Sequence, residues 1–143
     1  MLDKQSFYHG VALIRLLDSD RCQKICRHEF GFKVNDSVFI FFKYRTNSRS
    51  PWRFLFSPEE VEKLNQVKKS VKATIVALIC GGDGICALDW SDGARLIGDE
   101  AGWISVQRKH KEQYAVTGSR DDLGGKVPLK RWPQIVFDSA DLK

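Results

Sequence analysis

The sequence predicts a mixed α/β (α+β) fold in which helices flank a mixed central sheet. Three observations carry that reading. Val38 to Phe42 and Ala73 to Cys80, the second interrupted only by Thr74, are apolar runs of strand length, as expected of strands covered on both faces. Between them, Ser57-Pro58-Glu59-Glu60 is a helix start: serine caps, proline takes the first helical position and Glu60 completes a capping box. After the second run, Gly81-Gly82-Asp83-Gly84 has the chemistry of a tight hairpin turn.

The elements follow in order. Phe7 to Leu17 reads as a first helix, with Ser6 as cap and Phe7, Val11, Ile14 and Leu17 on one face expected to point inward. Asp18-Ser19-Asp20 ends it and starts a short second helix through Cys26. Phe30 to Val34 is a strand. Val34-Asn35-Asp36-Ser37 is a turn, Asn and Asp tolerating left-handed geometry. Val38 to Tyr44 is a central strand. Trp52 to Phe56, aromatic-rich but poorly alternating, forms a hairpin with it across the basic loop Arg45 to Pro51. The capped helix runs to about Ser70, with Val61, Leu64, Val67 and Val71 facing inward. Ala73 to Cys80 and Ile85 to Trp90 pair next, and a short helical segment follows from Ala94 to Ile97. Trp103 to Arg108 and Tyr114 to Thr117 are a C-terminal hairpin, Gly118 to Gly125 a polar loop, and Val127 to Phe137, holding Pro128 and Pro133, an irregular apolar tail with frayed final residues.

A chain of 143 residues without repeats or linkers is one domain, able to bury roughly two thirds of its unfolded surface. With 43% hydrophobic and 29% charged residues it is globular rather than disordered. No apolar run approaches the ~20 residues of a membrane span, and Met1-Leu2-Asp3-Lys4-Gln5 lacks the layout of a signal peptide. A cytoplasmic protein with no membrane contact is expected. Cys22, Cys26, Cys80 and Cys86 are spaced poorly for structural zinc, even with His28 nearby, and read as small apolar thiols. His9, His28 and His110 show no acid–base pairing pattern, and no nucleophile elbow is present. The net charge of +5 matters only where it clusters, as at Arg45/Arg49/Arg53, Lys68/Lys69/Lys72, Arg108/Lys109/Lys111 and Lys130/Arg131.

The stretch Phe41-Phe42-Lys43-Tyr44, then Trp52-Arg53-Phe54-Leu55-Phe56, then Ser57-Pro58-Glu59-Glu60, with Ile75 to Cys80 as the buried strand after the helix, resembles the restriction-endonuclease-like PD-(D/E)xK superfamily over about residues 7–90. That resemblance implies an αβββαβ core, here extended by the C-terminal hairpin. It would also imply Mg²⁺ held by carboxylates beside the lysine of an acid-x-lysine pair. This chain departs from the pattern: the residue two before Lys43 is Phe41, and Phe7 to Leu17 contains no acid. The expectation is a nuclease-like fold that has lost its chemistry.

What remains is cationic and aromatic. Lys43, Tyr44, Arg45, Arg49, Trp52 and Arg53 surround one loop, where cations would meet phosphates and aromatic rings would stack on bases. The first reading is therefore a small nucleic-acid-binding protein without a cofactor, a degenerate nuclease-like subunit of a DNA-processing or defence assembly. The second is an active Mg²⁺-dependent nuclease using Lys43 and Asp36 as catalytic residues, with Glu29 as a further displaced ligand. The third is a protein-interaction module or inhibitor anchored by Trp52, Trp103 and Trp132.

Overall fold

The two apolar runs lie side by side and parallel in the computed structural model, which describes residues 2–141. Along the chain the elements are α1 (Lys4–Leu17), β1 (Ile25–His28), β2 (Gly31–Val34), β3 (Val38–Arg45), β4 (Trp52–Phe56), α2 (Pro58–Val67), β5 (Ala73–Cys80), β6 (Gly84–Asp89), α3 (Trp90–Ile97), β7 (Gly102–Gln107), β8 (Tyr114–Gly118), β9 (Asp122–Val127) and α4 (Arg131–Asp141). The first sheet, in the order β1-β2-β3-β5-β6, is mixed: only the β3–β5 pair is parallel. The second, β4-β7-β8-β9, is antiparallel throughout. The mixed class expected from the sequence is the one observed.

The first sheet is a wall between two apolar layers. Phe39 and Phe41 of β3 and Val76, Leu78 and Cys80 of β5 face a core shared with the second sheet, α2 and α3. Their sequence neighbours Val38, Ile40, Phe42, Ile75, Ala77 and Ile79 face a second core closed by α1 and α4. Alternation along a strand sends successive side chains to opposite faces, so a run apolar at every position must be covered twice.

The same rule corrects the expected β3–β4 hairpin. Trp52, Phe54 and Phe56 are buried while Arg53 and Leu55 are exposed, a strict alternation obscured in the sequence by the apolar Leu55. A strand with one apolar face suits a sheet covered on one side only. The chain from Thr46 to Pro51 therefore carries β4 across to the second sheet, where it pairs with β7 from Trp52–Val106 to Phe56–Gly102.

The C-terminal hairpin is part of this larger sheet. The expected polar loop Gly118 to Gly125 runs into an edge strand, Asp122–Val127, and most of the tail expected to be irregular because of its prolines is α4. Pro133 sits near the start of that helix, where its missing N–H is one of the unpaired donors anyway. Trp132 before it is held extended (φ −87°, ψ 131°), as a residue preceding proline prefers. Residues 18–24 do not form the short helix expected there. They lead into β1, which places Cys26 on a strand. The expected fraying falls partly on 142–143, outside the described residues.

The two amphipathic helices differ. α2 has the capping box in full and buries Val61, Leu64 and Val67 at 0–4% exposure. α1, capped by Asp3 rather than Ser6, turns Ala12 and Leu16 inward, and leaves Phe7 (63%), Val11 (43%), Ile14 (55%) and Leu17 (62%) exposed. The expected inward face points outward. α4 already covers part of that side of the sheet with Trp132, Val136 and Phe137, and the Trp132 indole donates to the Ala12 carbonyl at 3.3 Å, fixing which side of α1 meets the core. Among the described residues no helix is long and apolar enough to cross a membrane.

Candidate nucleic-acid interface

β2 pairs with β3 only from Val38 to Ile40, whereas β5 accompanies β3 to Arg45. Beyond Ile40 one side of β3 thus borders a cleft of about 450 Å³, lined by Gln5, His9, Phe30, Lys43, Leu55 and Glu60 among others. Lys43 falls on the same face of β3 as Phe41. Its ammonium lies 5.4 Å from the centroid of the Phe41 ring and 5.0 Å from that of Phe56, and meets the Glu60 carboxylate at 2.8 Å. Glu60 is the capping-box glutamate of α2, and its other oxygen accepts from the Ser57 backbone N–H at 3.0 Å. Burial works to raise the Glu60 pKa, but hydrogen bonds from Lys43 and Ser57 outweigh it and hold the group below its ordinary value. Lys43 is therefore mostly buried and ion-paired with Glu60.

Asp36 does not join it. It sits in the left-handed turn between β2 and β3 (φ 59°), as its residue type favours, and pairs with Lys24 at 3.1 Å. From there to Lys43 the extended strand rises on the order of 20 Å at about 3.3 Å per residue, so the two residues expected to act together lie at opposite ends of β3 with separate partners. Glu29, in the β1–β2 turn, borders a different hollow beside Glu59, Glu62 and Lys63. Among the described residues no three His, Cys, Asp or Glu side chains come together to hold a metal ion. The four cysteines are free, and burial raises the pKa of Cys80 and of Cys86.

Two of the expected stacking aromatics are engaged inside the protein. Trp52 is buried between the sheets and its indole N–H donates to the Asn47 carbonyl at 2.8 Å, so it shapes the basic loop from beneath. That carbonyl also packs against Gly81 (φ 55°), where a Cβ would collide with it. Tyr44, on the opposite face of β3 from Lys43, stacks on Tyr8 at 5.1 Å and ties α1 to the sheet. Trp132 is buried as well, leaving Trp103 as the partly exposed member of the trio expected to anchor a partner.

Arg45, Arg49 and Arg53 stand exposed, with no ion pair among the described residues. The fold adds two cations to them. Ser50 Oγ donates to the Arg108 carbonyl at 3.3 Å, which sets the Arg45–Pro51 loop against the β7–β8 loop carrying Lys109 and Lys111. Arg108 is taken up in bidentate pairing with Asp83 (2.8 and 2.7 Å), and Tyr114 donates to the same carboxylate at 2.9 Å. Those bonds hold Asp83 below its usual pKa and pin the β5–β6 turn beneath both loops. The loop carrying Arg49 and the loop carrying Lys109 and Lys111 therefore meet at Ser50, with Arg45 at the end of β3 where the first loop begins.

Next to the two basic loops, the outer face of the second sheet is uncovered. Arg53 lies over the Trp103 ring with its guanidinium carbon 4.2 Å from the centroid, and the exposed Leu55 is the cross-strand partner of Trp103. Trp103 was expected as an anchor of a protein-interaction module and was absent from the expected nucleic-acid-binding set. The signal for it was present: in Trp103-Ile104-Ser105-Val106-Gln107 the tryptophan shares its face with Ser105 and Gln107, not with the apolar residues. No family model, curated protein or solved structure matches the chain.

Proposed function

We propose that this protein binds nucleic acid, with Arg45, Arg49, Lys109 and Lys111 meeting phosphates and the Arg53–Trp103 pair stacking on exposed bases. The observation that carries this reading is the bond from Ser50 to Arg108, which joins two basic loops far apart in sequence into one cationic rim beside an open sheet face. Unpaired cations at a protein surface attract polyanions, and each neutralised phosphate releases counterions. An uncovered aromatic ring beside them suits single-stranded segments. The meander β1–β3 with β5 parallel to β3, lacking an acid two residues before Lys43, supports the narrower reading of a degenerate nuclease-like subunit in a DNA-processing or defence assembly.

The test is fluorescence anisotropy on labelled single- and double-stranded DNA and RNA across a salt series. Binding should weaken steeply with salt, and Arg49→Ala and Lys111→Ala should each lower the slope of log K against log salt by about 1. Trp103→Ala should weaken single-stranded binding by about 1–3 kcal/mol without changing that slope. Absence of binding at low salt, or a slope unmoved by both cation variants, would overturn the reading. A parallel incubation with Mg²⁺ addresses the nuclease alternative: strand cleavage lost in Lys43→Ala and Glu60→Gln would place chemistry in the β3 cleft.

A further inference from the structure

We propose that α1 is the interface between two copies of this chain, packed antiparallel across a twofold axis. A monomer has no use for the stripe Phe7, Val11, Ile14 and Leu17, joined by the exposed Leu2 at its N-terminal end. Together these side chains leave roughly 500 Å² of apolar surface in water, at about 150–250 Å² per large side chain. That is at the upper end of what isolated proteins expose. A self-complementary contact would bury it twice, on the order of 1,000 Å² in all, which is the size at which stable association begins.

Three features of the stripe select a second copy as its partner. The spacing 7, 11, 14 is the four-three repeat with which one helix meets another along a seam. Gly10 lies beside that seam, and a Cβ there would meet nothing within 4 Å, so a facing helix can approach closely at the midpoint. The charges at the ends are complementary to themselves reversed. Asp3 and Lys4 flank the stripe at one end, Arg15 and Asp18 at the other, all exposed. An antiparallel twofold sets Lys4 against Asp18 of the other copy and Asp3 against its Arg15, at both ends of the seam.

Shape agrees with charge. Beside the C-terminal half of α1 runs a groove of about 290 Å³ lined by Leu13, Leu17, Ile25, Cys26, Arg27 and Phe32. In the antiparallel arrangement the projecting Leu2 and Phe7 of one copy come alongside this groove of the other, and the reverse contact follows by symmetry. None of these residues belongs to the cationic rim, and the dimer does not depend on the binding activity proposed above.

Sedimentation velocity of the full chain over a concentration series tests it. The expected result is a concentration-dependent monomer–dimer equilibrium, with Ile14→Asp monomeric throughout and its far-UV circular dichroism unchanged. Lys4→Glu and Asp18→Lys should each raise the dimer dissociation constant roughly two- to fivefold, as rim ion pairs do, and the two together should restore it. The two positions are a helix length apart within one chain, so restoration reports a contact between chains. A chain that stays monomeric at every concentration overturns the proposal and leaves the stripe to some other partner. A dimer that survives Ile14→Asp overturns it as well, and so does a double variant weaker than either single one.

Discussion

α1 and α2 carry the same kind of message in sequence and deliver opposite outcomes in space. Each has an apolar stripe at helical spacing and each begins with a side-chain cap. The α2 stripe is buried in the core between the sheets, and the α1 stripe holds most of the large apolar side chains exposed among the described residues. The difference teaches that periodicity identifies a face needing cover but not what will cover it. α2 enters between β4 and β5, strands of different sheets, and has nowhere to turn except inward. α1 begins the described chain with α4 already against part of its side of the sheet, and only its narrower Ala12–Leu16 side is needed there.

The largest test of this contrast is a pair of truncations. Leu64→Ala in α2 should cost about 2–5 kcal/mol by denaturant unfolding, as buried leucines do, whereas Ile14→Ala in dilute monomer should stay within about 0.5 kcal/mol. Equal losses would mean that α1 is covered in the isolated chain. Capping comes next. Ser57→Ala removes the serine half of the α2 capping box and should cost about 1 kcal/mol, with Asp3→Ala nearer to 0.5 kcal/mol because the α1 end is exposed and lightly packed.

Acid separates the two helices by smaller amounts. Burial, reinforced by Arg27, lowers the pKa of His9 on α1, so the folded chain favours its neutral form. The stability tied to that group is complete above its unfolded pKa, about 6.5, and is lost as pH falls through the lower folded value. For Glu60 on α2 the folded pKa is also depressed, so its contribution is complete above about 4.3 and lost at more acid pH. Urea midpoints measured on acidification should therefore fall first in a step that His9→Gln removes, and later in one that Glu60→Gln removes. A single step insensitive to His9→Gln would place that imidazole in water.

Much of the fold was legible because its signals were local. The capping box, the two buried runs and the Gly81–Gly84 turn each depend on a few adjacent residues, and each formed where the sequence put it. The sheet membership of β4 and the path of the last strand depended on long-range pairing with β7 and β8, which no local pattern specifies. The candidate site divided in the same way. The arginines of the basic loop were visible as a cluster, but the glutamate awaiting Lys43 lies seventeen positions later and announced itself only as a helix cap. Lys109 and Lys111 became neighbours of that loop through one serine hydroxyl. Trp52 and Trp103, alike as letters, were separated by the pleat into an interior prop and a surface ring.

The partition formed by β3 has an energetic corollary. Phe41 touches Phe30 and Phe56, while Phe42 touches His9, Phe32 and Trp132, so two residues joined by one peptide bond share no aromatic neighbour. Changes that reshape either phenyl group should combine almost independently, while Phe41 and Phe56, fifteen positions apart, should not. One compartment can then drift in composition while the other keeps its shape, with a single polypeptide strand serving as the insulating membrane between them.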